Sequence, residues 1–250
     1  MADKLFARLF TMSRVYEPTL LDGWLGRLEA DPTIAPTHAQ IGIRRTPYDP
    51  VDVRTRVQQY KPVELTRTKA PKYTIHCKQD AWTLSKLYLD LDGPLREPHF
   101  EAWWSALNDI ASLFQVDYGF IHVDWRTRDT KETPEFSQGL GMDISDLRGY
   151  GPGTIFARTW YSPFLVDLIG PQAISRLGHV SKTDTGVTIV DLVEGPPWKA
   201  TFEDLDAARA KACRVLAEVG LRGDFSKYPR PKPPAWQLDP SWNLKHDKTT

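Results

Sequence analysis

Residues 156–170 constrain the fold more than any other stretch, because they predict a strand that runs directly into a short apolar helix. Ser162 is a typical N-cap residue and Pro163 suits the first helical position. Gly170 suits the left-handed residue that follows the last helical turn. A short helix of mostly apolar residues cannot be solvated on every side, so it must pack against a sheet, most simply the sheet of its own preceding strand.

Hydrophobic periodicity predicts most of the other elements. Alternating apolar and polar residues predict strands, and apolar residues at three- and four-residue spacing predict helices. The expected strands lie within 5–10, 72–79, 83–92, 118–125 and 156–161, with a hairpin over 179–194. The expected helices lie within 18–30, 98–114, 163–169, 171–177 and 201–220.

This order of elements predicts an α+β fold with an antiparallel sheet and amphipathic helices packed on its faces. We expect a single α+β domain over residues 1–226 and a proline-rich tail over 227–250. The tail is expected to run extended and to pack back onto the domain through its tryptophans. The alternative is that it binds an aromatic groove on a partner.

Residues 31–71 are harder to interpret, because prolines interrupt every candidate element. One helix is possible at 52–60, and the segment is the most basic part of the chain. Asp49, Asp52 and Glu64 dilute this charge. We therefore expect a solvated loop-and-helix face here rather than a nucleic-acid site.

Composition narrows the class of protein. The chain of 250 residues has 32 basic and 32 acidic side chains, and this balance argues against a direct nucleic-acid partner. Cys77 and Cys213 belong to no Cys-x-x-Cys pair, so free buried thiols are expected. Arg8 splits the apolar N-terminus and no later stretch reaches membrane-spanning length, so we expect a cytoplasmic protein without a membrane partner.

No pattern of titratable residues predicts catalysis strongly. His122 and Asp124 lie two apart on one predicted strand face and could be metal ligands or a base with its orienting carboxylate, but no third ligand is recognisable, so we favour a hydrogen-bonded core or surface role. Tyr161 and Ser162 lack the Gly-x-Ser-x-Gly elbow of a serine nucleophile. We therefore expect no enzyme activity, no metal and no cofactor.

The pattern around residue 160 resembles a known group of proteins. It consists of Trp160, then Phe164 or Leu165, and Gly170 at the helix end, followed by a hairpin and a last amphipathic helix. This order is similar to that of immunity proteins of bacterial type VI secretion and polymorphic toxin systems, in particular the immunity protein 52-like group. The resemblance implies a protein that binds a cognate secreted toxin and inhibits it by covering or distorting its active site.

An inhibitor of this kind needs an exposed surface with a few aromatic and charged anchors. The long polar, glycine-rich segment 126–153 is a candidate, since long loops tend to be functional. The predicted partner-binding residues are Trp125, Arg126, Arg128 and Asp129 at its start, with Asp90 and Asp92 as acidic residues that could face a basic toxin cleft. The alternative functions are a small hydrolase or nucleotide-processing enzyme that uses His122 and Asp124, and an adaptor that uses the tail.

Overall fold

The computed structural model describes residues 2, 4–57, 62–79, 85–92, 95–125 and 154–219. These residues form one antiparallel sheet of ten strands in the order β3-β2-β4-β5-β6-β1-β7-β8-β10-β9. The strands are β1 (Lys4–Thr11), β2 (His38–Ile41), β3 (Arg44–Pro47), β4 (Val63–Arg67), β5 (Lys72–Lys78), β6 (Ser85–Asp92), β7 (Tyr118–Asp124), β8 (Arg158–Tyr161), β9 (His179–Lys182) and β10 (Thr188–Asp191).

Six α-helices accompany the sheet in the described residues, which confirms the α+β prediction. They are α1 (Pro18–Glu29), α2 (Pro50–Val57), α3 (Glu97–Phe114), α4 (Pro163–Ile169), α5 (Pro171–Leu177) and α6 (Phe202–Glu218). A short 3-10 turn, Pro197–Lys199, precedes α6. No helix of the described residues is both long and apolar enough to span a membrane.

Helices α1 and α3 cover one face of the sheet, which we call the inner face. Cross-strand partners place Leu9, Leu87 and Cys77 in one row of this face, and all three are buried. Trp103 of α3 packs edge-on against Tyr73 of β5, with the ring centroids 4.8 Å apart. The core of the molecule therefore lies between the inner face and these two helices.

The other face of the sheet is covered only in part by the described helices. Side chains from Tyr118 to Val123 are buried on both sides of β7, so this strand lies between two layers. Helix α6 lies on the second side. Its Phe202 ring contacts the ring of Trp125 at the end of β7, and its Cys213 Sγ lies 3.9 Å from Thr154 Oγ1. On β2, β5 and β6, and at Glu64 of β4, the described side chains of this second face are instead exposed or half-buried.

Several local predictions are confirmed. The Leu165 N–H donates to Ser162 Oγ at 3.4 Å, so Ser162 caps α4, and Gly170 has a φ of 93°. Thr201 Oγ1 accepts the Asp204 N–H at 3.1 Å at the start of α6. The hairpins β5-β6 and β9-β10 form with the expected antiparallel pairing.

Within residues 31–71 the expected helix forms as α2, but the expectation of loops around it is wrong, because β2, β3 and β4 also lie in this segment. The prolines flank these strands instead of interrupting them. Pro36 and Pro62 precede β2 and β4, Pro47 ends the edge strand β3, and Pro71 precedes β5. A proline at a strand end or on an edge strand removes no ladder hydrogen bond that the sheet needs, so it is tolerated there.

Candidate protein-binding surface

The candidate surface is the part of the second sheet face that no described element covers, and we call it the open face. It consists of outward side chains of five adjacent strands: Arg8, Gln40, Glu64, Thr74, His76, Lys78, Lys86, Tyr88 and Asp90. Cross-strand pairing aligns Gln40, Glu64, His76, Tyr88 and Arg8 in a single row perpendicular to the strands. Because side chains alternate between faces, every one of these residues follows or precedes a buried core residue.

Tyr88 lies near the middle of the open face and is half-buried. The Arg8 guanidinium carbon lies 4.7 Å and the Lys86 ammonium nitrogen 5.1 Å from the centroid of its ring. Phe10 contacts the ring edge-on at 5.8 Å. An aromatic ring held by two cations is a rigid, amphipathic feature of the type that anchors protein interfaces.

Arg8 is itself held in place. Its Nη2 donates to Asp90 Oδ1 at 2.8 Å, and its Nη1 donates to the Leu89 carbonyl at 3.0 Å. The Arg8 side chain is 12% exposed, whereas that of Asp90 is 51% exposed. The pair therefore presents a carboxylate to solvent and fixes the cation beneath it beside Tyr88.

A shallow depression of about 250 Å³ lies beside Tyr88 on the open face. Its polar lining includes His76, whose Nδ1 lies 3.4 Å from Glu64 Oε2. Cys77 also borders it, but its side chain lies on the inner face, and burial raises the pKa of this thiol to about 12, so it remains protonated at neutral pH. The depression therefore offers hydrogen-bonding groups and charges rather than an activated thiolate nucleophile.

The structure places three of the predicted partner-binding residues at one end of the sheet. Asp90 pairs with Phe6 of β1 on the open face, and Asp92 pairs with Lys72 of β5. Trp125 follows the last residue of β7 and is half-buried, with its ring 5.6 Å from that of Phe202. Arg126, Arg128 and Asp129 lie outside the described residues, as does the proline-rich tail 227–250.

His122 has the geometry of a core residue. Its ring is buried between Phe6 and Phe156, with centroid distances of 5.4 and 5.6 Å. Its Nδ1 accepts the Ala157 N–H at 3.1 Å. Burial, with a smaller contribution from the positive charge of Arg209, lowers its pKa to about 3.

Asp124 is engaged separately from His122. Its Oδ2 lies 3.4 Å from Lys4 Nζ, and its Oδ1 accepts the Trp125 N–H at 2.8 Å. Within the described ranges, no group of three or more His, Cys, Asp or Glu side chains is arranged to hold a metal ion. These contacts favour the structural role for His122 and Asp124 over the catalytic one.

Apart from Asp90, sequence reasoning missed the centre of the open face. Lys86, Tyr88 and Asp90 alternate with buried leucines, so the pattern does indicate that they share the solvent side of β6. Arg8 and His76 could not be added without the strand order, because they come from β1 and β5 and meet Tyr88 only through pairing across the sheet.

Comparison with known proteins gives a structural similarity but no sequence match. The sequence matches no known family and no curated protein significantly. The fold is similar to that of the Pseudomonas aeruginosa T6SS protein PA0821, with a TM-score of 0.53, 16% sequence identity, and coverage of 97% of this chain and 91% of that chain. At this identity the similarity shows the fold, so this chain shares its architecture with a protein of a type VI secretion system.

Proposed function

We propose that this protein is an immunity protein, which binds a cognate secreted bacterial toxin and neutralises it without catalysis. The observation that carries the proposal is the open face. On this surface of five adjacent strands, Tyr88 lies beside Arg8, which is held by an ion pair with Asp90. The architecture shared with a type VI secretion protein supports it further.

The open face has the properties that tight binding requires. Stable complexes bury about 800 Å² on each partner, and a surface across five adjacent strands is suited to that size. A sheet is rigid, and the ion pair of Arg8 with Asp90 already orders two side chains before binding. Less side-chain freedom is then lost on association, which favours a low Kd.

The charges of the open face indicate how the partner is recognised. Arg8, Lys78 and Lys86 are cationic, and Glu64 and Asp90 are anionic. Such a mixed surface selects a partner with a complementary arrangement of charges and repels others, so it gives specificity more than affinity. Asp90 is its exposed acidic group beside the aromatic anchor, as expected for contact with a basic toxin cleft.

The first test is co-purification with the product of the adjacent open reading frame, combined with co-expression in a growth assay. We expect the neighbour to be toxic alone, to form a stoichiometric complex with this protein, and to permit growth when both are present. A neighbour that is neither toxic nor bound would contradict the proposal.

The open face can be tested by substitution at its centre. We expect Tyr88→Ala to weaken the complex by about thirtyfold or more, because central aromatic anchors contribute about 2 kcal/mol or more. Lys86→Glu should also weaken it, by reversing a charge beside the ring. Isothermal titration calorimetry would measure both Kd values.

Arg14→Glu is the matched control for Lys86→Glu. Arg14 lies between β1 and α1, outside the open face, and its side chain is 73% exposed. Arg14→Glu makes the same change in net charge as Lys86→Glu. Because the change lies outside the open face, the Kd of this variant should equal that of the unsubstituted protein. Equal effects of both charge reversals, with Tm unchanged, would rule out the open face as the docking surface.

A further inference from the structure

A second cleft lies at the edge of the sheet formed by β9, between α5, β9 and α6. It has a volume of about 610 Å³, more than twice that of the depression beside Tyr88. Its charged rim consists of Arg176, His179, Lys211, Arg214 and Glu218. Apolar side chains form its base: Leu177, Leu192, Ala208 and Val215.

Helical spacing explains how α6 supplies most of the rim. Lys211, Arg214 and Glu218 are separated by three and four residues, so they lie on one side of the helix. All three are exposed, while Val215 between them is buried. This side of α6 therefore presents charges above an apolar strip that already contacts the body of the protein.

The rim has an excess of positive charge. Glu218 holds Arg176 through two hydrogen bonds, of 2.7 and 3.1 Å. Lys211 and Arg214 have no ion pair within the described part of the chain. Among the described residues, these two cations on one helix side have no carboxylate partner, so the described rim is electropositive.

We propose that this cleft binds an acidic peptide segment of a partner protein. Carboxylates of the segment would pair with Lys211 and Arg214, and an apolar side chain would lie on Leu177 and Val215. A purely phosphate-reading surface needs neither an apolar base nor a carboxylate in its rim, whereas this cleft has both. The site is separate from the open face and does not depend on the proposed immunity function.

The test uses a fluorescein-labelled peptide in which glutamates alternate with leucines, titrated with the full chain and followed by fluorescence anisotropy. We expect binding that weakens as salt concentration rises, and no binding of the same peptide with glutamine at every glutamate position. The double variant K211E/R214E should weaken binding about tenfold or more.

The matched control is the double variant R44E/K69E. Arg44 of β3 and Lys69, between β4 and β5, are exposed and lie on the far side of β1 from the cleft, and the change in net charge is the same. This variant should bind the glutamate peptide like the unsubstituted protein. Equal weakening by both double variants would show non-specific attraction and overturn the proposal.

Glu218→Gln supplies a test with an expected gain of affinity, which a misfolded variant would not show. The substitution removes the only carboxylate of the described rim and releases Arg176 toward the cleft. Affinity for the glutamate peptide should then rise about two- to fivefold, the usual strength of a surface ion pair.

An unchanged or reduced affinity of E218Q would count against the cleft as the binding site. Displacement of the peptide by a single-stranded DNA oligonucleotide at a lower concentration than by unlabelled peptide would also overturn the proposal, because the surface would then be reading phosphates. Failure of these tests would leave the co-purification result unaffected, since that experiment probes the toxin complex.

Discussion

At the scale of single residues, burial decides which titratable groups remain available for function. His122 and Asp124 lie two apart on β7, yet they differ in environment. His122 is enclosed by aromatic rings and accepts a backbone N–H, whereas Asp124 lies partly exposed beside Lys4. Alternation predicted the shared strand face but could not reveal that α6 covers this face at His122, because coverage depends on elements far away in the sequence.

His122 makes the folded state sensitive to acid. The unfolded chain binds a proton on this ring near the ordinary pKa of 6.5, whereas the folded chain does so only near pH 3. The unfolded state thus binds more protons between these values, so the free energy of unfolding falls as pH decreases through this window. The slope from this one group is at most about 1.4 kcal/mol per pH unit.

We expect His122→Asn to reduce that slope between pH 6.5 and 4, because asparagine can accept the Ala157 N–H without titrating. Urea unfolding at a series of pH values measures the effect. The control is His76→Asn, since His76 is exposed on the open face. Parallel pH profiles for H122N and the unsubstituted protein would contradict the assignment of a buried, neutral imidazole.

At the scale of elements, local signals predicted the helices better than the short strands. The 18 residues of α3 repeat their apolar positions several times, and α4 and α6 begin at the cap residues that the sequence indicates. Strands β2 and β3 have four residues each, too few for a repeating pattern. Their prolines favoured a loop prediction, although Pro47 only ends an edge strand.

The cap of α6 gives a prediction for this element. Thr201 Oγ1 accepts the Asp204 N–H at 3.1 Å and donates to Asp204 Oδ2 at 2.7 Å. We expect Thr201→Ala to lower the free energy of unfolding by about 1 kcal/mol, because the N–H then loses its acceptor. Thr201→Ser keeps the hydroxyl and should retain most of the stability. Urea denaturation distinguishes them, and an equal loss in both variants would exclude the cap as the cause.

At the scale of the whole molecule, β1 connects the two halves of the sheet. It pairs with β6 over Phe6–Thr11 and with β7 over Lys4–Phe10. The hairpin β5-β6 is local and was predicted from the sequence, but the position of the first strand between β6 and β7 was not. The order of strands distant in the sequence depends on which strand edges remain unpaired after the hairpins form. The local hydrophobic pattern does not indicate which edges these are.

This central position predicts that the sheet unfolds as a unit. The transitions followed by far-UV circular dichroism and by tryptophan fluorescence should coincide, because buried tryptophans lie on both sides of β1: Trp103 packs on Tyr73 of β5, and Trp160 lies in β8.

A substitution beside β9 and β10 tests whether the two halves of the sheet unfold together. In Gly178→Ala the added Cβ would lie 2.3 Å from the Asp191 carbonyl oxygen, so β9 and β10 must shift. We expect both probes to move to the same lower urea midpoint in this variant. Separate transitions would show that the halves unfold independently.

The alternation of β6 has a consequence for how such proteins diverge. Leu87 and Leu89 maintain the core, while Lys86, Tyr88 and Asp90 between them face outward. Under the proposed binding role of the open face, mutations at the outward positions can therefore change the partner while the leucines continue to specify the fold. On that proposal, a binding surface built on every second residue allows the binding specificity to change repeatedly during evolution while the fold is retained, even when few residues remain in common.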